Sequence, residues 1–416
     1  MEVLYRFFLQ LYPFFIRLVS PFNGKAKFWI KGRKRVFERM QEVIDPVHPS
    51  IWIHCASLGE FEQGRPVIEK IRHEYTSYKI LLTFFSPSGY EVRKNYNGAD
   101  YVFYLPMDSR KNAFQFFEIA RPHLILFVKY EFWFYYLREA KKRNIPLLLI
   151  SGIFRKSQPF FSKYGYFYRS LLSCFTHFFV QNEESYSLLK LIGLEKDVTI
   201  TGDTRFDRVI EIAEQFEPII PVEAFCKGSD VIVAGSTWSE DDTKLAAYAS
   251  TKRDVKFIIA PHDVSKERLN ECARLYKNSM LFSAIKNSPV PLNTNTIIID
   301  NIGMLGSLYK YATISYVGGG FGSEGVHNVL EAAVYGKPVV YGPVYDKFIE
   351  AAELVRNGGG ISVNNTAALE ATFNQLLNKD DNYLHASRES LNYVYRKKGA
   401  TQKILQFIYK NRLLTK

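Results

Sequence analysis

Residues 316–343 read YVGGGFGSEGVHNVLEAAVYGKPVVYGP, and the fold turns on how this stretch is parsed. An apolar run ending at Val317 meets three consecutive glycines, then a polar turn, then the amphipathic segment 327–335, then the second apolar run KPVVYG. Strand, turn, helix and strand in that order make a βαβ unit, whose strands lie parallel in one sheet. Gly336 is placed to cap the helix over 327–335. Three glycines in a row mean turn geometry or a close approach to the main chain, because glycine loses the most freedom on folding.

The same rhythm extends outward in both directions. Upstream, DVIVAGS, VKFIIAPH, TIIID and TISYVGG read as strands with helical patterns between them. Nearer the N-terminus, IWIHCA, KILLTFF, YVFYLP, LILFVK, PLLLIS and FFVQ do the same, several of them continuously apolar, as parallel strands covered on both faces should be. EQGRPVIEKIRHEY, KNAFQFFEIA and FYYLREAKKRN are the helices between them. The alternation pauses over 203–229, where Pro218 and Pro221 interrupt, so this segment reads as a linker. The chain has 416 residues, too many for one ordinary core. The predicted fold is therefore α/β, with two doubly wound parallel-sheet domains. Their ligands are expected outside the carboxyl ends of the strands, in a cleft between the halves. The expected boundaries are 1–40 for an N-terminal segment, 41–210 for one domain and 211–416 for the other, the last including a C-terminal helix.

Net charge is +12, which favours an anionic partner. No zinc-finger, helix-turn-helix or RNP signature is present, so no nucleic-acid partner is expected. The four cysteines (Cys55, Cys174, Cys226 and Cys272) lack CxxC spacing and the eight histidines do not cluster, so no metal and no cofactor is expected.

The first 22 residues, MEVLYRFFLQLYPFFIRLVSPF, are apolar but carry Arg6 and Arg17. Arg6, Gln10, Pro13 and Arg17 fall on one helical face, and everything opposite is Leu, Phe, Tyr, Ile or Val. That stripe suits a helix lying in a membrane interface, kinked at Pro13, or an amphipathic helix capping the first domain's own core. KAKFWIKGRKR follows, with Lys25, Lys27, Lys31, Arg33, Lys34 and Arg35 and no acid among them. These cations suit an anionic leaflet or phosphates on a lipid headgroup; otherwise they are a solvated loop.

Three strand-to-helix turns can carry chemistry. In the opening stretch, the glycines lead to a helix start where free N–H groups and the helix dipole attract anions. Asn328 and Glu331 share a face there, fit to meet a phosphate or a pair of hydroxyls, although a tight turn with a first-turn acid would look the same. In DVIVAGSTWSEDD, Gly235, Ser236 and Thr237 leave a strand and could cradle a phosphate, while Ser239 and Asp242 form a capping box. In IWIHCASLGEFEQGRPVIEK, Glu60 stands at a helix mouth, where the dipole lowers its pKa. To serve as a general base it would need burial or a neighbouring acid, and Glu131 of FVKYEFWFYYL could be that acid. Without them, Glu60 is a simple first-turn charge.

Taken together, these stretches resemble the lipid A 3-deoxy-D-manno-octulosonic acid (Kdo) transferases, inverting glycosyltransferases of GT-B fold. The resemblance runs from about residue 50 to 365. It is carried by Ser57-Leu58-Gly59-Glu60, by Lys129-Tyr130-Glu131-Phe132-Trp133, and by Ile200-Thr201-Gly202-Asp203-Thr204-Arg205-Phe206-Asp207. Ala234 to Thr237 and the run from Gly325 to Val339 complete it. It implies transfer of Kdo from CMP-Kdo to a phosphorylated lipid A precursor at the cytoplasmic face of the inner membrane, without a metal. It also implies Glu60 as the base, with Glu131 beside it. CMP-Kdo contacts would fall on Pro261 and His262, on Ile302, Gly303 and Met304, and on Gly319, Asn328 and Glu331, so that the nucleotide rests against the glycines. The N-terminal cations Arg6, Arg17, Lys31, Arg33, Lys34 and Arg35 would face the acceptor and the membrane. Lys129 departs from the family's first acid, His262 from its usual arginine, Asp203 from its asparagine and Lys347 from another asparagine.

Overall fold

The computed structural model describes residues 2–285, 290–291 and 293–415. The chain divides into two compact units, 1–207 with 399–416, and 208–398. The first holds a seven-stranded sheet: β1 (Ser50–Cys55), β2 (Lys79–Phe84), β3 (Tyr101–Tyr104), β4 (Pro122–Val128), β5 (Leu147–Gly152), β6 (His177–Val180) and β7 (Val198–Ile200). The spatial order is β3-β2-β1-β4-β5-β6-β7, and every pairing is parallel. The order reverses between β1 and β4, so their carboxyl ends form the crevice where an open α/β sheet takes its ligand.

Continuous apolar strands follow from two covered faces. Trp52, Leu81, Ile125, Phe127 and Leu149 enter one core, while Ile51, Ile53, Leu82, Leu126 and Leu148 enter the other. Alternate residues thus need the same chemistry on both sides.

The second unit repeats the plan with β8 (Asp230–Thr237), β9 (Val255–Pro261), β10 (Ser279–Leu281), β11 (Thr296–Ile298), β12 (Ile314–Val317), β13 (Val339–Tyr341) and β14 (Gly360–Ser362). Its order is β10-β11-β9-β8-β12-β13-β14, again wholly parallel, with the reversal between β8 and β12. β7, β10 and β14 were not anticipated.

Four expectations need correcting. Residues 399–416 belong to the first unit: Ile404, Leu405 and Ile408 of the helix Ala400–Lys410 enter its core. Asp207 fixes that helix start by accepting from Gly399 N at 2.5 Å and Thr401 N at 2.7 Å. The segment 203–229 carries the helices Arg205–Glu214 and Ile220–Cys226, Pro221 being tolerated in a first turn. KAKFWIKGR is helical (Gly24–Arg33), capped by Asn23. The helix expected over 327–335 shrinks to Leu330–Ala333, because the Asn328 side chain accepts from Leu330 N and starts it late.

The N-terminal helix Glu2–Val19 is continuous through Pro13. It is anchored on the first unit by Tyr5, whose hydroxyl donates to Asp108 at 2.5 Å, and by buried Leu9. Val3, Leu4, Phe7, Phe8, Phe14, Phe15 and Leu18 remain exposed on a separate stripe, beside the exposed Arg6, Gln10 and Arg17. No helix among the described residues is long and apolar enough to cross a membrane.

Candidate active site

In the first unit, Glu60 and Glu131 leave the two strands that flank the reversal. β1 ends at Cys55, and two residues, Ala56 and Ser57, separate it from the helix Leu58–Glu74 that carries Glu60 in its first turn. Ser57 N donates to Glu60 Oε2 at 2.9 Å and Ser57 Oγ does so at 3.3 Å, which turns the carboxylate back over the helix start. Glu60 is only 7% exposed. Burial, then the charge of Glu131, raise its pKa to about 7, against the lowering pull of the Ser57 hydrogen bond and the Lys129 ammonium. Both conditions that a first-turn glutamate needs to hold a proton near neutrality are therefore met. Lys129, just past β4, adopts φ +64°, a left-handed conformation that is strained for a side-chain-bearing residue and marks the turn into Glu131.

Behind Glu131 lies a buried group that sequence reasoning missed. His54 has no exposed surface, and its Nε2 lies 3.4 Å from Glu131 Oε2. Trp133 Nε1 donates to the same nitrogen at 3.2 Å, and His54 Nδ1 lies 2.9 Å from Thr83 Oγ1. Its signal was available: a histidine inside an otherwise apolar buried strand must find polar partners.

The motif Ile200 to Asp207 turns out to be structural here. Asp203 accepts from Gln63 Nε2 at 2.8 Å and from the Arg205 guanidinium at 2.8 and 2.9 Å, and these contacts hold its pKa low against burial.

In the second unit, all the predicted nucleotide contacts leave four adjacent strands at one edge of the sheet. Gly235, Ser236 and Thr237 end β8, while Pro261 ends β9 and His262 follows it. Ile302, Gly303 and Met304 follow β11, and Gly319, Asn328 and Glu331 follow β12. Ser236 has φ +54°. Asn328 Nδ2 donates to Glu331 Oε1 at 2.9 Å, so the pair is held as a unit.

The glycines answer to the backbone. A Cβ on Gly318 would sit 2.4 Å from Ser236 O, and one on Gly320 would sit 2.6 Å from Gly342 N. Gly319 has φ +91°, and its N–H donates to Asp241 Oδ2 at 2.9 Å. Main chain thus occupies the Cβ positions of Gly318 and Gly320 and Asp241 takes the Gly319 N–H, so backbone packing by itself requires glycine at these positions. The capping box shifts by one residue too. Asp241 accepts from Trp238 N at 2.9 Å, while Asp242 pairs with Arg268 and Tyr276.

A second unanticipated feature is a ring stack at the same edge. His262 lies 4.7 Å from Trp238 and 4.4 Å from His327, centroid to centroid, and Trp238 Nε1 donates to His327 Nε2 at 2.9 Å. Burial and the neighbouring His262 push the His327 pKa down to about 4, and burial lowers that of His262. Both rings are therefore neutral near pH 7.

Among the N-terminal cations, Arg33 is corrected. Its guanidinium lies 4.0 Å from the Trp29 ring centroid, over Phe85 and Tyr104 as well, and donates to Leu105 O at 2.9 Å and Phe85 O at 2.8 Å. Burial lowers its pKa to about 9. It cements the helix to the sheet rather than facing a ligand. Lys25, Lys27, Lys31, Lys34 and Arg35 are exposed.

Comparison with known proteins gives the following. A family model described as "3-Deoxy-D-manno-octulosonic-acid transferase (kdotransferase)" matches residues 32–208. A bifunctional glycosyltransferase/methyltransferase of Fusobacterium nucleatum is 28% identical over 364 residues, which is 84% of this chain and 56% of that protein; the chain thus spans little more than half of that relative. A 3-deoxy-D-manno-octulosonic acid transferase of Aquifex aeolicus is 28% identical over 350 residues, 83% of this chain and 90% of that protein. Among solved structures, UDP-GlcNAc 2-epimerase from Neisseria meningitidis bound to UDP-GlcNAc superposes with TM-score 0.61 at 18% identity, over 87% of this chain and all of that one. At that identity the likeness is one of fold.

Proposed function

This chain is a glycosyltransferase in the family of the Kdo transferases, to which it is related over most of its length, and from that premise we propose that it transfers Kdo from CMP-Kdo to a hydroxyl of a phosphorylated lipid A precursor. Glu60 is the general base. It takes the proton of the acceptor hydroxyl as that oxygen attacks the anomeric carbon of Kdo, and the bond from that carbon to the CMP phosphate breaks with its electron pair leaving on CMP. Attack opposite the leaving group inverts the anomeric configuration. A base that titrates near 7 is half available at neutral pH and still basic enough to accept the proton.

The observation that carries this reading is the burial of Glu60 beside Glu131, which lifts its pKa to about 7. Negative charge gathers on the departing CMP. The loops after β8, β9, β11 and β12 are the nucleotide site in this reading, with His262 as the residue that meets the phosphate. The N-terminal helix lies in the cytoplasmic face of the inner membrane through its exposed Phe and Leu stripe, and the exposed lysines that follow meet anionic lipid.

Thermal shift of the purified protein with CMP, UMP and UDP tests the donor class. CMP should stabilise most, and a larger shift with UDP would refute the reading.

A further inference from the structure

We propose that a groove on the first unit, separate from Glu60 and Glu131, binds the phosphate of the acceptor lipid's headgroup; this rests on the reading of the acceptor given above. The groove has a volume of about 1030 Å³ and lies among the N-terminal helix, the helix Phe134–Lys142 and the helix Tyr166–Leu172. Five cations (Arg6, Arg110, Arg138, Lys141 and Lys142) line it against two acids, Glu2 and Glu139.

Both acids are already engaged. Glu2 accepts from Arg6 at 2.7 Å and Glu139 from Arg143 at 2.8 Å. Lys141 donates to Ser173 O at 2.7 Å, and Arg6 Nε to the Tyr135 hydroxyl at 2.7 Å. Among the described residues, Arg110, Arg138 and Lys142 form no ion pair, and all three are exposed. The Arg138 guanidinium is held 5.2 Å from the Phe134 ring centroid. A concave surface with surplus positive charge and guanidinium donors is suited to a phosphate.

Two further features select a lipid headgroup from among phosphates. Tyr164 and Tyr166, 91% and 80% exposed, offer ring faces with polar tips at the rim, which suits a saccharide. Glu2 and Arg6 belong to the helix whose neighbouring stripe (Val3, Leu4, Phe7, Phe8) is exposed and apolar. One element therefore borders both the phosphate groove and the surface suited to acyl chains, as an amphipathic ligand requires.

The test compares the full-length triple variant Arg110→Ala/Arg138→Ala/Lys142→Ala with a charge-matched control, Lys196→Ala/Lys403→Ala/Lys410→Ala, whose lysines are exposed and lie outside the groove. In detergent, with a phosphorylated lipid A precursor as acceptor, the groove variant should raise the acceptor KM by at least about tenfold, each lost phosphate contact being charge-assisted, while kcat and the CMP-Kdo KM stay unchanged. Flotation with phosphatidylcholine vesicles, with and without phosphatidic acid, gives a readout that needs no transfer. The groove variant should show a weaker preference for phosphatidic acid than wild type, the remainder coming from the exposed cations of residues 25–35, and the control should keep the full preference. An unchanged acceptor KM with an unchanged preference would overturn the proposal. So would a groove variant altered only in its binding of a single-stranded oligonucleotide. Wild-type protein that transfers no Kdo yet shows the groove-dependent preference would instead sink the proposed reaction and leave the groove standing.

Discussion

Glu131 Oε2 lies 3.4 Å from Nε2 of the fully buried His54, and the two groups share no hydrogen. Trp133 Nε1 can only donate, and it donates to that nitrogen, so the ring's proton sits on Nδ1 beside Thr83. From this side Glu131 meets a lone pair. Its charge is left to act on Glu60, for which it is the second cause of a raised pKa after burial.

Glu131→Gln should therefore move the acid limb of the kcat/KM pH profile downward from about 7. Burial remains, so the limb should stop above the ordinary glutamate range. A limb that stays in place would show that Glu131 does not act on the base.

The raised pKa also costs stability. Folded Glu60 holds a proton up to about pH 7, whereas the unfolded chain releases it near 4.5. The protonated form therefore stabilises the fold fully below about 4.5, and that contribution is lost as pH rises through about 7. Glu60→Gln does not titrate, so it should be more stable than wild type at about pH 8, by at most about 3 kcal/mol, with the gap closing toward about pH 5. Thermal melts that differ equally at both pH values would contradict this.

The glycine run separates two neighbouring substitutions. A Cβ on Gly320 would meet Gly342 main chain at 2.6 Å, whereas one on Gly322 meets only Gly319 O at 3.5 Å. Gly320→Ala should cost about 2 kcal/mol or more through overpacking, and Gly322→Ala under about 1 kcal/mol. Equal losses in urea unfolding would mean that the glycines answer to something other than packed backbone.

His262 faces Trp238, His327 and Asp263. Burial holds it below the ordinary histidine value, with Asp263 pulling weakly the other way. If it meets the CMP phosphate, the CMP-Kdo KM should rise as pH increases and the imidazolium is lost, over a range lying below that of an ordinary histidine. His262→Arg should flatten that rise, and an unaltered profile in the arginine variant would remove His262 from the donor site.

The exposed stripe of the N-terminal helix offers a membrane test that spares its anchors, Tyr5 and Leu9. Phe7→Ser/Phe15→Ser/Leu18→Ser should weaken binding to anionic vesicles by more than about tenfold, since each large side chain contributes on the order of 1 kcal/mol or more on entering the interface. Unchanged flotation would rule out the stripe as the contact.

The parallel sheets were legible because both faces are covered, which forces runs such as LILFVK to be apolar throughout. Glu60 was legible by its place at a helix mouth. The fate of the cations was not, since Arg33 and Lys34 are adjacent in sequence and only the fold puts one in an aromatic cage and the other in water. Glycines that meet a ligand and glycines that meet main chain look alike until Gly342 is placed against Gly320. Trp238 and His327 had no spacing to betray them, and His54 showed only as a lone histidine in an apolar strand, because their partners are brought up by other elements.

The most direct test is the rate of Kdo transfer from CMP-Kdo to a phosphorylated lipid A precursor by the Glu60→Gln enzyme. The account predicts that kcat falls by at least about a thousandfold while CMP binding persists. A variant that turns over within about tenfold of wild type would contradict it.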